Sequence, residues 1–300
     1  MPPFTRRRFL STSLTIATAL ELRRAAFALG LSADSSVCHL MPEQEVGPYY
    51  VAGELLRSDI AESKPGVPLT LRIAILDAHT CKPLPGAAID IWHCDALGVY
   101  SGYTKANPMG PGGPPPSGGP AGGPPPGPPP DFASGPQGGP MGTPPQMHTT
   151  DKLTFLRGIQ LTGTDGSVFF RTIVPGFYPG RTNHIHFKVR LGGQTSNSTY
   201  EAGHTSHTGQ VFLPEDVAVQ LMQHEPYTKH TIHRTTQAED MVFTGQHGDA
   251  SIATLKPVKP GDWSAGLHAE LVAAVDPTAT PAPADRMRGP GGPPSPPASA

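Results

Sequence analysis

His184-Ile185-His186 sets two imidazoles two residues apart, at the head of a stretch to Leu191 that alternates polar and apolar residues strictly. Side chains alternate across a strand, so Ile185, Phe187, Val189 and Leu191 are expected to face a core. His184 and His186 then share the opposite face, where both can bind one metal ion. Alone this is a weak signal, because surface or hydrogen-bonded histidines produce it too. Its neighbours strengthen it. Val174-Pro175-Gly176-Phe177-Tyr178-Pro179-Gly180-Arg181-Thr182 leads into the strand and fixes Tyr178 between turn-forming Gly and Pro residues. Further upstream, Ile89 to Tyr100 reads as a strand running into a turn that ends on a second phenol.

Taken together, Glu45-Val46-Gly47-Pro48-Tyr49-Tyr50, the Trp92 to Tyr100 segment and Tyr178 to His186 resemble the intradiol ring-cleavage dioxygenases. That non-haem iron family includes the catechol and protocatechuate dioxygenases. The likeness runs from about Pro42 to Leu213, and the motifs come in the right order. It implies an Fe(III) ion bound by Tyr100, Tyr178, His184 and His186. The chemistry agrees: Fe(III) is hard and favours oxygen anions, and a bound cation drives a phenol of reference pKa about 10 to ionise. The resemblance further implies a small aromatic diol and O2 as partners, and a cis,cis-muconate product. Tyr178 would be the phenol that substrate displaces, Arg181 a cation beside the reacting ring, and Gln210 a supporting glutamine. Pro48 and Tyr49 fall where the family lines its pocket. The Tyr178–His184 interval is shorter than in the cytoplasmic enzymes and resembles the exported branch, and the helical dimerisation region of the catechol-specific branch has no counterpart.

The elements that must carry these residues read as short strands: Leu69–Ile75, Gly86–Trp92, Leu153–Leu161, Ser167–Val174, His184–Leu191, Gln210–Leu213, Met241–Thr244 and Gly266–Val275. Asp165-Gly166 is a hairpin turn signal between the third and fourth. Pro214 followed by Glu215 and Asp216 opens one short helix. The fold class is mainly β, a β-sandwich spanning 38–276. Between Pro108 and Pro145, 28 of 38 residues are Pro or Gly, too many for a core, so this block reads as a disordered insertion, and 277–300 as a disordered tail.

Residues 1–30 read as an export segment. Arg6-Arg7-Arg8-Phe9-Leu10 precedes a mildly apolar stretch and Ala26-Phe27-Ala28, resembling a twin-arginine signal; Glu21, Arg23 and Arg24 depart from that pattern. A net charge of −2 without clustering argues against nucleic acid, and no apolar run reaches the roughly 18 residues of a membrane span. A homo-oligomer is compatible with the sequence. Cys38, Cys81 and Cys94 allow one disulfide, with the pairing open. Two competing readings remain. One is a zinc hydrolase or lyase drawing a third ligand from His93, His204, His207, His224, His230 or His233; the other is an exported, non-catalytic sandwich. Tyr200 and Tyr227, like Tyr49, read as core phenols, and His230, His233 and His247 as surface residues.

Overall fold

The computed structural model describes residues 39–106 and 148–282. The expected export segment, the Pro/Gly block and residues 283–300 of the tail lie outside them. Among the described residues, eight strands form two four-stranded sheets. The first contains β1 (Pro68–Asp77), β4 (Ser167–Ile173), β7 (Thr254–Lys259) and β8 (Asp262–Val275), ordered β4-β1-β8-β7. The second contains β2 (Ala88–Trp92), β3 (Arg157–Leu161), β5 (His184–Ser196) and β6 (Thr199–Phe212), ordered β3-β2-β5-β6. Neighbours are antiparallel except β1 and β8, which run parallel.

Alternation builds the core. Leu69, Leu71, Ile73 and Ile75 of β1 meet Ile89 and Ile91 of β2, and Ile185, Phe187 and Val189 of β5, in one buried cluster. Leu191 is only partly buried, because the β5–β6 register shifts at Val189/Arg190. The even-numbered residues of β5 therefore sit on the outer face of the second sheet. That face is not left to water: Val46, Tyr49, Trp92, Tyr100, Tyr103 and Tyr178 form a separate buried aromatic cluster.

Several expectations need correction. Asp165-Gly166 does not close a hairpin, since β3 pairs with β2 and β4 with β1; the turn carries the chain from one sheet to the other. Met241–Thr244 is helical: Met241–Gly245 forms α2, and the Asp240 carboxylate caps it by accepting from Val242 N at 2.8 Å and Phe243 N at 3.2 Å. The helix expected after Pro214 is α1 (Glu215–Leu221), so the described residues hold two α-helices where one was expected. The third strand begins at Arg157, because Leu156 takes a positive φ of 59° and ends any extended run before it. The first tail residues, 277–282, are placed on the domain, where the Pro277 carbonyl accepts from His204 Nε2 at 3.2 Å. Cys94 is buried and free, whereas Cys81 is disulfide-bonded.

Candidate metal centre and substrate cleft

β5 delivers the two imidazoles as alternation requires. Both are buried, and their Nε2 atoms lie 3.1 Å apart. His184 Nδ1 donates to the Thr182 carbonyl at 2.6 Å, which leaves the lone pair on Nε2, the nitrogen beside His186. The His186 ring is clamped. Trp92, its register partner on β2, stacks on it at 4.9 Å with the planes 2° apart. Gly47 lies close by, so that a Cβ there would come within 3.2 Å of His186 Cε1, and its φ of +70° favours glycine. Gly47→Ala is therefore expected to displace the His186 ring, weakening metal retention about tenfold or more with a small loss of Tm; dialysis against a chelator measures it. Metal retention equal to that of the unaltered protein would remove Gly47 from this role.

The Tyr178–Arg181 turn, closed by the Arg181 N to Tyr178 O bond at 3.0 Å, brings Tyr178 Oη to 3.4 Å from His184 Nε2. Tyr100 closes the group, its ring centroid 5.8 Å from that of Tyr178 and 6.5 Å from that of His186. Its hydroxyl is buried with no hydrogen bond of normal length and angle. Burial, and after it the neighbouring Tyr178, push the Tyr100 phenol well above the ordinary range. Burial likewise raises Tyr178, against the pull of Arg181. Two phenols kept neutral by burial, one of them unsatisfied, are what a cation would reverse.

The donor set fits a single metal ion. Two donors each about 2.1 Å from one ion lie about 3.0–3.4 Å apart at angles of 90–110°, which matches both measured separations. Among the described residues, no group of three His, Cys, Asp or Glu side chains could hold a metal. The zinc reading thus finds no third ligand of these types among the described residues. His93 uses both ring nitrogens, Nδ1 donating to the Cys94 carbonyl at 2.8 Å and Nε2 accepting from the Thr172 hydroxyl at 2.7 Å. Burial lowers it to about 4, so it stays neutral. His207 is paired with Glu43, and His224 and His233 are exposed.

Behind these four side chains sits a charge network that motif reading saw only in part. Arg181 is buried, not a surface ion pair. Its Nε donates to both Asp240 oxygens at 3.1 and 3.0 Å, and Nη1 to Glu45 Oε1 and to Tyr178 Oη, each at 3.4 Å. Nη2 donates to Gln210 Oε1. Burial opposes the charge, but Tyr178, Asp240 and Glu45 outweigh it and hold the guanidinium protonated. Gln210 also donates to the Glu45 carbonyl at 3.0 Å, tying β6 to the Glu45–Tyr50 segment. A second buried cation, Arg157 of β3, was not singled out by the sequence. It donates to the carbonyls of Tyr49 and Ser101, both at 2.7 Å, and to the Ser101 hydroxyl at 2.8 Å, so it fixes the two segments that present Tyr49 and Tyr100.

A cleft of about 520 Å³, solvent at its mouth included, opens over the phenols. Tyr49 stacks on Tyr100 at 4.5 Å and, with Tyr103, walls the inner end. Tyr49 is thus both buried and a wall of the cleft. His230 also lines it, contrary to a surface reading: it is half-buried, donates from Nε2 to the Phe177 carbonyl at 2.9 Å and packs on the Phe177 ring at 4.6 Å. Tyr227 and Tyr200 are core phenols as expected, Tyr227 donating to the Val174 carbonyl at 2.7 Å.

No protein-family model matches the chain, and no curated protein sequence matches it. Solved structures do. An intradiol ring-cleavage dioxygenase from Tetranychus urticae is 28% identical with a TM-score of 0.62, the match covering 82% of this chain and 98% of that one. A second solved dioxygenase is 30% identical, also at a TM-score of 0.62, over 81% of this chain and 97% of its own. With near-complete coverage of both, and the same family read independently from the ordered motifs, the chain belongs to the intradiol ring-cleavage dioxygenases, a family of oxygenase oxidoreductases.

Proposed function

We propose that the protein holds one Fe(III) ion on Tyr100, Tyr178, His184 and His186. There it opens a catechol between the two hydroxyl-bearing carbons to give a cis,cis-muconate-type product. The observation that carries this reading is the convergence of two buried phenols and two imidazoles, with donor atoms 3.1 and 3.4 Å apart. Two tyrosinates and one hydroxide would balance a charge of +3, and neutral imidazoles complete the shell. The chemistry Fe(III) supplies when bound is to take both catechol oxygens and make the ring reactive toward O2.

The chain's own groups divide the remaining work. The two phenols differ: Tyr178 Oη has Arg181 Nη1 at 3.4 Å, while Tyr100 Oη has no such partner. Negative charge on Tyr178 therefore keeps a cation beside it, and Tyr178 Oη is the atom suited to take a proton from a catechol hydroxyl. Arg181 stabilises anionic character there and toward the ring, a preorganised electrostatic role. Gln210, Glu45 and Asp240 keep its fork in place. The aromatic walls hold the ring and exclude water.

Iron content and the visible spectrum of the purified protein test the ligand set. About one iron per chain with a broad phenolate band is expected, followed by ring-opened product from a catechol. A protein that stays colourless after iron loading overturns it. We also propose export through the twin-arginine-type segment; the disulfide at Cys81 suits an oxidising compartment. A mature N-terminus at Met1 or Pro2 would count against export.

A further inference from the structure

The geometry points to a cleft that selects uncharged catechols bearing an apolar substituent and rejects those bearing a carboxylate. This inference rests on the ring-cleavage reading and goes beyond it to the substrate class.

The cleft has a polar inner end and an apolar mouth. Its inner end holds the phenols of Tyr100 and Tyr178, where the diol belongs. Outward it is lined by Leu97, Val99, Pro179 and Ile232. Leu97 and Ile232 are large aliphatic side chains left 40% and 37% exposed, so the mouth offers apolar surface for a ring substituent to cover. No Lys, Arg, Asp or Glu is among the described residues that line it.

A carboxylate on the substrate ring would therefore enter without a partner. The nearest candidates fail on position or on prior commitment. Lys105 is exposed and does not line the cleft, although Thr104 and Ala106 on either side do. Arg181 lies buried behind the ligands, already bonded to Asp240, Glu45 and Gln210. The 41 residues from 107 to 147 contain no Lys, Arg or His. The comparison is made near pH 8, where a benzoate carboxylate is fully ionised. A carboxylate held against this apolar mouth gives up part of its hydration without gaining a partner, a cost that a methyl group of similar size does not carry.

The test compares 4-methylcatechol with 3,4-dihydroxybenzoate on the iron-loaded full chain near pH 8. Binding is read by calorimetry without O2, and turnover by ring-opened product. Binding and kcat/KM at least about tenfold better for 4-methylcatechol are expected. Ile232→Lys, and separately Leu97→Lys in case one variant folds poorly, should narrow that gap about tenfold by supplying the missing cation. Equal or better handling of 3,4-dihydroxybenzoate by the unaltered protein overturns the selectivity while leaving ring cleavage intact. A gap unmoved in both folded variants also overturns it. Ring-opened product from neither compound, nor from catechol itself, removes the ring-cleavage reading and this inference with it.

Discussion

Tyr100→Phe is expected to abolish the phenolate colour attributable to this ligand and to lower ring-cleaving turnover by about 100-fold or more, while leaving the metal-free protein as stable as before. The split in sign makes this informative. In the metal-free fold the Tyr100 hydroxyl is buried without a hydrogen bond of normal geometry. Removing an unsatisfied buried polar atom is neutral or stabilising, by up to about 1–2 kcal/mol. A direct ligand should matter at least as much as the supporting partners of metal sites, whose loss typically costs about 10–100-fold in affinity or activity. A purely structural phenol would behave the other way, with Tm falling and iron content unchanged. Thermal denaturation of the metal-free variant beside its iron stoichiometry separates the two. Unchanged turnover would remove Tyr100 from the ligand set.

The two histidines were the most legible part of the site, because alternation along His184–Leu191 is a local property that tertiary context had little reason to override. Tyr100 and Tyr178 were legible only as members of motifs. Nothing in their spacing says that a turn after β2 and a turn before β5 meet over one sheet face. The supporting charges were less visible still. Arg181 stood out by position in a motif, but Asp240 is 59 residues away and Glu45 is 136 away. Arg157 looks like an ordinary strand residue, and only the fold shows it donating to Tyr49 and Ser101 across 108 and 56 residues.

The fold followed a similar division. Strands buried on their inner face were readable, whereas β7 was missed: Leu255-Lys256-Pro257-Val258 carries a Pro and alternates poorly, which an edge strand tolerates. Met241-Val242-Phe243-Thr244 has strand composition, yet it is α2, because Asp240 caps it while also binding Arg181. Capping was available in the sequence, since Asp before an apolar run is an N-cap signal, but short β-prone runs obscure it. His230 was misread for a different reason. Its polar neighbours suggest surface, and only the approach of the Phe177 carbonyl turns it toward the cleft.

Asp240 ties the helix, the arginine and the Tyr178–Arg181 turn together, so its loss and that of Arg181 should part company. Asp240 accepts from Arg181 Nε, from Thr182 N at 2.9 Å and from two backbone amides of α2, all while fully buried. Asp240→Ala leaves a buried guanidinium short of one anion and a helix without its cap, and breaking a buried pair costs about 3–5 kcal/mol. A large drop in Tm is expected. Glu45 and Gln210 still hold Arg181, so kcat, measured well below that Tm, should stay within about tenfold. Arg181→Lys should do the opposite. It keeps a charge but not the fork that reaches Tyr178 Oη, and removing one preorganised charge-stabilising donor costs about 10²–10³-fold in kcat, with KM moving less. Parallel thermal melts and steady-state kinetics decide between the roles. If the kcat losses of the two variants simply follow their losses of stability, Arg181 is a structural cation, and Tyr178 must be stabilised without it.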